Sequence, residues 1–424
     1  MLDLKFIREN PHIVAQAIKD KQEKVDFNQF LDLDEQRRNF LQELEFKRRQ
    51  LNQLSSSMAK FKKQGEPTDQ IHHQLKDLSQ EIKQIELNYK KVYDQWEKLY
   101  HFIPNIPEQD TPLGSSEQDN KTIKTWGEVE KSKEGLDYHQ VCEKLHLVNW
   151  QSASIISQSS FPLYLGDGAR LEMALIMFML DLHQKHNYTQ VFPPFLINRD
   201  SMFGTGQLPK MEEDSYVIEK DDLFLNPTAE VPVTNLFKGQ IIPEQKLPVK
   251  LSAFTTCFRR EAGSYGKETK GLLRMHQFNK VELVHLVKPE DGFNSLEQLL
   301  SQAELVLQQL KLPYRVRMLC RGDMTFASAL TYDLEVWAPI SKKFLEVSSV
   351  SYFKDFQARR IGLKYQPENG AKQFIHTLNG SALATPRTMI AILEHYQQED
   401  NTVMIPEVLL PYFSGQKVIN SSEQ

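Results

Sequence analysis

Cysteine is scarce. Cys142, Cys257 and Cys320 are the only three in 424 residues, and no two form a CxxC pair. That argues against a disulfide framework and against a cysteine-built zinc site, so no zinc is expected, and it favours a reducing, cytoplasmic setting. No apolar run approaches the ~18 residues of a membrane span. The opening MLDLKFIREN carries acidic residues and lacks the apolar stretch of a signal peptide, so no membrane partner is expected. Excess positive charge is also missing: the net charge is −5, and a surface for a polyanion must therefore be local. What is present is 40% hydrophobic residues, enough for a sizeable core, in a length that suggests two domains.

The first third has a helical logic. Asn10-Pro11 reads as a helix start, with Asn as cap and Pro in the first turn. Leu33, Phe40, Leu44, Leu51, Leu54, Met58 and Phe61 then follow 3/4 spacings, with Arg37 and Lys47 filling two slots. After Gly65-Glu66-Pro67 the pattern restarts with Ile71, Leu75, Leu78, Ile82, Ile85, Tyr89, Val92, Trp96 and Leu99. Sustained 3/4 spacing is a heptad signal, and Gly and Pro between the runs mark a turn. Two helices of ~30 residues, each roughly 45 Å long, must then run antiparallel. Arg37, Arg38, Lys47, Arg48, Arg49, Lys60, Lys62 and Lys63 outnumber the nearby Asp34, Glu35, Glu43 and Glu45. Such a face is either an ordinary solvated coiled coil or a lever for a phosphate backbone.

Pro104, Pro107, Pro112 and Gly114 among polar residues read as a linker. The expected boundaries are a helical domain over residues 1–104, a linker over 105–125 and a larger mixed domain over 126–424. The final INSSEQ reads as frayed.

Three segments of the larger domain carry chemistry. Ala169 to His186 is an amphipathic helix with Leu171, Leu175, Phe178, Met179 and Leu182 on one face, followed by a strand from Tyr188 to Val191 that runs into Pro193-Pro194. Periodicity leaves open whether this is a core helix with an edge strand or a dimer face. The second segment is Phe258-Arg259-Arg260-Glu261, the loop AGSYGKETKGLL, then Arg274, Phe278 and Glu282 at four-residue spacing. It reads as an antiparallel hairpin whose second strand presents a cation, an aromatic plate and a carboxylate on one face. Those groups suit phosphate, adenine and amine, although a solvated charged hairpin has the same composition. The third segment, His376-Thr-Leu-Asn-Gly-Ser381 leading to Arg387, is a polar strand entering an apolar helix, with an arginine near a helix N-terminus where phosphates bind.

In order and spacing these segments resemble the three signature motifs of class II aminoacyl-tRNA synthetases. With TGQLPK, PTAEVPVTN, TYDLEVW and DFQARR, the chain most resembles the bacterial seryl-tRNA synthetase family along nearly its whole length. The resemblance implies an α+β fold: a six- to eight-stranded antiparallel sheet flanked by helices, with an N-terminal antiparallel two-helix coiled-coil arm. It implies serine–tRNA ligase activity, with ATP as substrate, Mg²⁺ as cofactor, L-serine and serine tRNA as partners (selenocysteine tRNA also), and a cytoplasmic homodimer joined through the first motif. By position, Arg259 matches the arginine on the α-phosphate and the serine carboxylate. Arg387 matches the one at the γ-phosphate, and Arg260, Glu261, Phe278, Val347 and Ser348 match the rest of the ATP site. Glu346 and Ser349 match the Mg²⁺ and ATP positions. Thr228, Ala229, Glu230, Glu282, Asn379 and Ser381 match the serine pocket. The basic residues from Arg37 to Lys63 would form the tRNA-binding arm, reading backbone and shape.

The chain departs from the family pattern in places. Asn187 stands where a glycine is usual before the tyrosine, Thr325 and Leu330 depart near TYDLEVW, and Val350 and Tyr352 replace the usual residues of SSCSNF. Val350 and Tyr352 are expected to adjoin the metal and serine sites. A paralogue that charges a carrier protein would typically lack the long arm. A non-catalytic tRNA-binding protein would be expected to have lost Arg259, Glu282 or Arg387, and all three are here.

Overall fold

The computed structural model describes residues 1–129, 133–262 and 271–421. The chain falls into two compact units, one of Asp3–Lys19 and Glu23–Ile103, the other of Met1–Leu2, Asp20–Gln22 and Pro104–Gln424. Among the described residues no helix is long and apolar enough to cross a membrane.

The first unit is helical: α1 (Leu4–Glu9), α2 (Pro11–Asp20), α3 (Phe27–Gln64) and α4 (Asp69–His101). Pro11 opens α2 as expected, but Asn10 does not cap it with its side chain. Its amide turns back and donates to the Phe6 carbonyl at 3.2 Å, closing α1. Asp26 caps α3, accepting from the Gln29 N–H at 2.9 Å. α3 ends at Gly65, whose φ of 74° is a left-handed conformation that glycine adopts without a side-chain clash. The two long helices, 38 and 33 residues, pack against each other through Leu44, Leu78, Ile82 and Ile85, with Phe40, Leu51, Leu54 and Tyr89 half-buried beside them. Near the other end of the hairpin Phe30, Trp96 and Tyr100 stack, with centroids 6.1 Å and 4.9 Å apart along that series.

The second unit is built on an eight-stranded sheet: β1 (Lys121–Trp126), β2 (Thr189–Val191), β3 (Val249–Phe258), β4 (Gln277–Val287), β5 (Tyr314–Met318), β6 (Leu330–Ala338), β7 (Lys343–Tyr352) and β8 (His376–Ala384). Its order is β1-β5-β6-β7-β8-β4-β3-β2. Every neighbouring pair is antiparallel except β2 with β3. Helices α5 (Gly166–Lys185), α6 (Gly292–Gln309) and α7 (Thr385–His395) share one core with sheet residues such as Val281, Leu283, Val316, Leu334, Val350 and Leu378. Gly380 lets α6 approach β8: a Cβ there would lie 2.4 Å from Leu299 Cδ2.

Sequence and structure differ at several points. The chain read as a linker is held to the sheet unit: the Asn105 side chain donates to the Ala327 and Phe353 carbonyls at 2.9 and 2.8 Å, and residues 121–125 belong to β1. Prolines and glycines there break regular structure without freeing the chain. Ile419, read as frayed, is buried and pairs with Val403 in a two-stranded sheet, and 422–424 lie outside the described residues. The expected hairpin exists as β3 and β4, paired from Val249 opposite Leu286 to Phe258 opposite Gln277, but residues 263–270 of its loop lie outside the described residues. β4 starts at Gln277, so Arg274 does not share a strand face with Phe278 and Glu282. Asn187, at the usual glycine position, has a φ of 66°, which asparagine tolerates better than most residues.

Candidate active site

Strand alternation sorts the sequence-predicted residues. On β4, Val281 and Leu283 enter the helix-covered core, which turns Lys280 and Glu282 to the opposite face; Phe278 has the same strand parity, and its half-buried ring also packs against the edge of that core. On β8, Leu378 and Ala382 are core residues, and Asn379 and Ser381 face the other way. Ser381 and Glu282 are directly opposite in the ladder. On β7, Val350 and Tyr352 belong to the core, and Ser349 and Ser351 face away from it. The expectation that Val350 and Tyr352 adjoin the site is therefore corrected: they share its strand but point to the other face. Tyr352 instead bonds His376 Nδ1 at 2.5 Å and meets the Phe293 ring edge-on. The Val347 side chain is also in that core, so only its backbone can meet a ligand.

A buried cluster centres on Glu282, whose residue is 1% exposed. Its Oε1 accepts from Asn379 Nδ2 at 2.8 Å. Its Oε2 accepts from Thr228 Oγ1 at 3.2 Å and is ion-paired with Lys280. Lys280 Nζ also donates to Thr228 Oγ1 at 3.0 Å. A buried carboxylate is tolerated only when paired and hydrogen-bonded in this way. Ala229 is fully buried and precedes a short helix, Glu230–Asn235, at whose start the Glu230 N–H points to Thr228 Oγ1 at 3.4 Å. Burial, then the nearby Glu282 charge, raises the Glu230 carboxyl to about 7. A hydrogen bond from Gln357 and the positive Lys280 and Arg259 act against that rise.

A second cluster adjoins it. Arg259 follows β3 directly; its guanidinium lies 5.3 Å from the Phe278 ring centroid, and its Nε donates to the Pro227 carbonyl at 3.4 Å. Arg260 is exposed and its N–H donates to the Asp214 carbonyl at 2.9 Å. Glu261 has a φ of 53° and is ion-paired with Arg274, which explains where Arg274 goes once it is off the strand.

Arg387 stands in the first turn of α7. Its Nη1 donates to the Glu346 carbonyl at 2.7 Å and lies 3.7 Å from the Glu346 carboxylate, and its Nε donates to the Leu273 carbonyl at 3.2 Å. Ser348 Oγ donates to the Ser381 carbonyl at 2.5 Å, tying β7 to β8. Beside Glu346 and Ser349 lies Asp333, paired with Ser349 across the ladder; its Oδ1 is buried without a hydrogen-bond partner. Burial and the Glu346 charge push the Asp333 carboxyl well above its usual range. Glu346, half-exposed, and Ser349 present oxygen donors of the kind Mg²⁺ takes together with substrate phosphates; among the described residues no three His, Cys, Asp or Glu side chains group as a metal site.

Two residues of the pocket escaped the sequence reading. Lys280 could have been found, since it precedes Glu282 by two on one strand and must share its face. Gln357 could not, because nothing in its spacing ties it to Glu230.

On the helical unit, the basic residues divide. Arg37 and Arg38 converge with Arg8 on Asp34, at 3.1, 3.2 and 2.7 Å. Lys47 and Arg48 reach across the hairpin to Glu81 and Glu86, and Arg49 pairs with Glu45 in its own helix. Lys60, Lys62 and Lys63 are exposed and make no ion pair among the described residues.

Known proteins with the same sequence features have this architecture. Residues 1–107 match the seryl-tRNA synthetase N-terminal domain, and residues 212–396 match the tRNA synthetase class II core domain (G, H, P, S and T). A serine–tRNA ligase of Thermoanaerobacter pseudethanolicus is 49% identical over 415 residues, spanning 97% of this chain and 98% of that protein. The crystal structure of seryl-tRNA synthetase from Pyrococcus horikoshii complexed with ATP superposes with a TM-score of 0.91 at 33% identity, covering all of both chains. The cytoplasmic serine–tRNA ligase of Naegleria fowleri in complex with AMP gives a TM-score of 0.86 at 27% identity, covering 100% of this chain and 99% of that one. Such identity across nearly the whole of both partners leaves one conclusion: the chain belongs to the seryl-tRNA synthetase family.

Proposed function

We propose that the chain activates L-serine with ATP, forming seryl-adenylate and pyrophosphate, and then transfers the seryl group to the 3′ end of serine tRNA. The observation that carries this reading is the buried Glu282 cluster of fixed acceptors and donors, with Arg259 beside it over the Phe278 ring and Arg387 held at Glu346.

In the first step a serine carboxylate oxygen attacks the α-phosphorus, the bond to the bridging oxygen breaks, and pyrophosphate leaves. This needs alignment and charge compensation more than covalent help. Arg259 is the group for the α-phosphate and the serine carboxylate, Arg387 for the γ-phosphate, and Phe278 the plate on which adenine stacks. Arg260, Glu261, Ser348 and the Val347 backbone complete the nucleotide site. Glu346 and Ser349 would hold Mg²⁺, which supplies charge compensation at the phosphates when bound. The Glu230 and Glu282 carboxylates receive the serine ammonium; Thr228, Ala229, Asn379 and Ser381 line the pocket. Alanine is rejected because the groups meant for the substrate hydroxyl would be left unpaired. In the second step the terminal adenosine hydroxyl attacks the seryl carbonyl, the anhydride bond breaks, AMP leaves and the hydroxyl proton is lost. No side chain is assigned as an obligatory base.

Of the basic residues expected on the arm, the exposed Lys60, Lys62 and Lys63 are the ones open to phosphate contact, since Arg37, Arg38, Lys47, Arg48 and Arg49 already have carboxylate partners. The same reading includes selenocysteine tRNA, a cytoplasmic setting and a homodimer. The exposed Met173 and Met177 on α5, with Phe192 just beyond β2, support a homodimer face.

Exchange of labelled pyrophosphate into ATP tests this. Exchange that depends on serine, is absent with alanine or threonine, and is lost in Arg259→Ala is the expected result. A folded protein with no exchange for any amino acid contradicts it.

A further inference from the structure

We propose that Gln357 is a positioning residue of the amino-acid pocket: it aims and holds the Glu230 carboxylate, and is itself locked by Thr377 and by the backbone of Thr205. This rests on the reading of Glu230 as a pocket residue.

Gln357 lies on a short helix, Phe356–Ile361, and is 1% exposed. All of its amide hydrogen-bonding groups are used. Nε2 donates to Glu230 Oε1 at 2.6 Å and to the Thr205 carbonyl at 3.1 Å. Oε1 accepts from Thr377 Oγ1 at 2.6 Å. The orientation of the amide follows from its partners. Reversed, its oxygen would face a carboxylate and a carbonyl, both acceptors, so the –NH₂ group must point to Glu230. Thr377, on β8, is fully buried, as is Thr205. Glu230 therefore has one oxygen pinned from behind, and the direction of its carboxyl plane is set by a chain of contacts starting in the sheet.

The charges facing Glu230 make that contact matter. Glu282 from β4 opposes ionisation of Glu230; Lys280 from β4 and Arg259 from the end of β3 favour it; Gln357 is the neutral group whose hydrogen bond also favours it. A donor to the charged form of a buried carboxylate stabilises that form. Without it, Glu230 would hold its proton to higher pH and could turn away from the pocket.

The test measures serine KM and ATP KM by pyrophosphate exchange, from about pH 6 to about pH 9. In Gln357→Met, which keeps the side-chain volume, serine KM rises about tenfold or more near neutrality, the loss expected for a charge-assisted hydrogen bond. ATP KM stays within about twofold, and the serine defect shrinks as rising pH re-ionises Glu230. Thr377→Val, which frees the Gln357 amide without removing it, shifts serine KM the same way by about threefold. If Gln357→Met does not fold, Thr377→Val decides alone. Unchanged serine KM in both variants overturns the proposal. So does a rise of serine and ATP KM together with no relief at high pH, because a purely structural role would behave that way. Glu230→Gln separates the levels. If it raises serine KM while the Gln357 and Thr377 variants do not, only this inference fails; if it too is silent, the pocket reading fails with it.

Discussion

Glu282 in the sheet unit is buried, and each of its carboxylate oxygens has a donor from a different strand or loop. Lys60, Lys62 and Lys63 at the turn end of the hairpin are exposed and make no ion pair among the described residues. The two regions treat charge in opposite ways for a physical reason. A buried charge without a partner costs several kcal/mol, so the sheet unit fixes the partners of Glu282 in advance, and their geometry is set by the fold itself. An exposed charge costs little to leave open, so the hairpin can keep cations for a flexible polyanion and gain from counterion release only on contact. The middle of the hairpin lies between these cases: Lys47 with Glu81 and Arg48 with Glu86 are surface pairs worth ~0–1 kcal/mol, which a phosphate can replace.

The largest break in this contrast comes from the sheet side. Arg259→Ala removes one preorganised cation beside Phe278 and should lower serine-dependent exchange by about 10²–10³-fold. Binding of tRNA by the hairpin, read by gel shift, should stay within about twofold. A fall of only a few-fold in exchange would mean that the pocket charges are no more committed than those of the hairpin.

A buried carboxyl in the same unit sharpens the comparison through pH. Glu172 on α5 accepts from Thr385 Oγ1 and from Asn279 Nδ2, the latter at 2.8 Å, yet its Oε2 is buried without a partner. Burial raises its carboxyl from 4.5 to about 7. The folded state therefore holds this proton to higher pH than the unfolded chain. Stability is greatest below about pH 4.5 and falls as pH rises toward 7, by on the order of 3 kcal/mol for this group. Glu172→Gln keeps the accepting oxygen and cannot ionise. Its melting temperature should exceed the parent's above pH 7 and converge with it as pH falls. A residual slope through the same window is expected from Glu230, also raised to about 7. Parallel melting curves for parent and variant would contradict the assignment.

A smaller effect separates stability from substrate binding. Tyr352→Asn removes a ring that packs on Phe293 and bonds His376, at a cost of about 2–4 kcal/mol. Because Tyr352 faces the helix-covered core, serine KM in the folded variant should change by less than about twofold. A selective rise in serine KM would show that the family's usual residue here acts on the pocket.

Much of this was legible in the chain. The 3/4 spacing from Leu33 onward and the break at Gly65-Glu66-Pro67 encode α3, α4 and their turn, because amphipathic periodicity and turn residues are local properties. The hairpin of β3 and β4 was readable for the same reason, and period-2 alternation placed Phe278 and Glu282 together. Arg274 was misplaced because its position is decided by an ion pair with Glu261, where the backbone turns to a φ of 53°. Asn10 was misread because its amide had a choice between two helix ends. The contact between Gln357 and Glu230 spans 127 residues, and only the folded sheet brings them together. Motif resemblance picked out Thr228, Glu282 and Asn379, which the fold brings together, but it carried no information on which face Val350 and Tyr352 would occupy.

The most direct test of the division between the two regions measures both half-reactions in one variant, Lys60→Ala, Lys62→Ala and Lys63→Ala combined. Pyrophosphate exchange should stay within about twofold of the parent, and charging of serine tRNA should fall about tenfold, with a shallower dependence on salt. Equal losses in both reactions, or charging that is untouched at every salt concentration, would contradict the account.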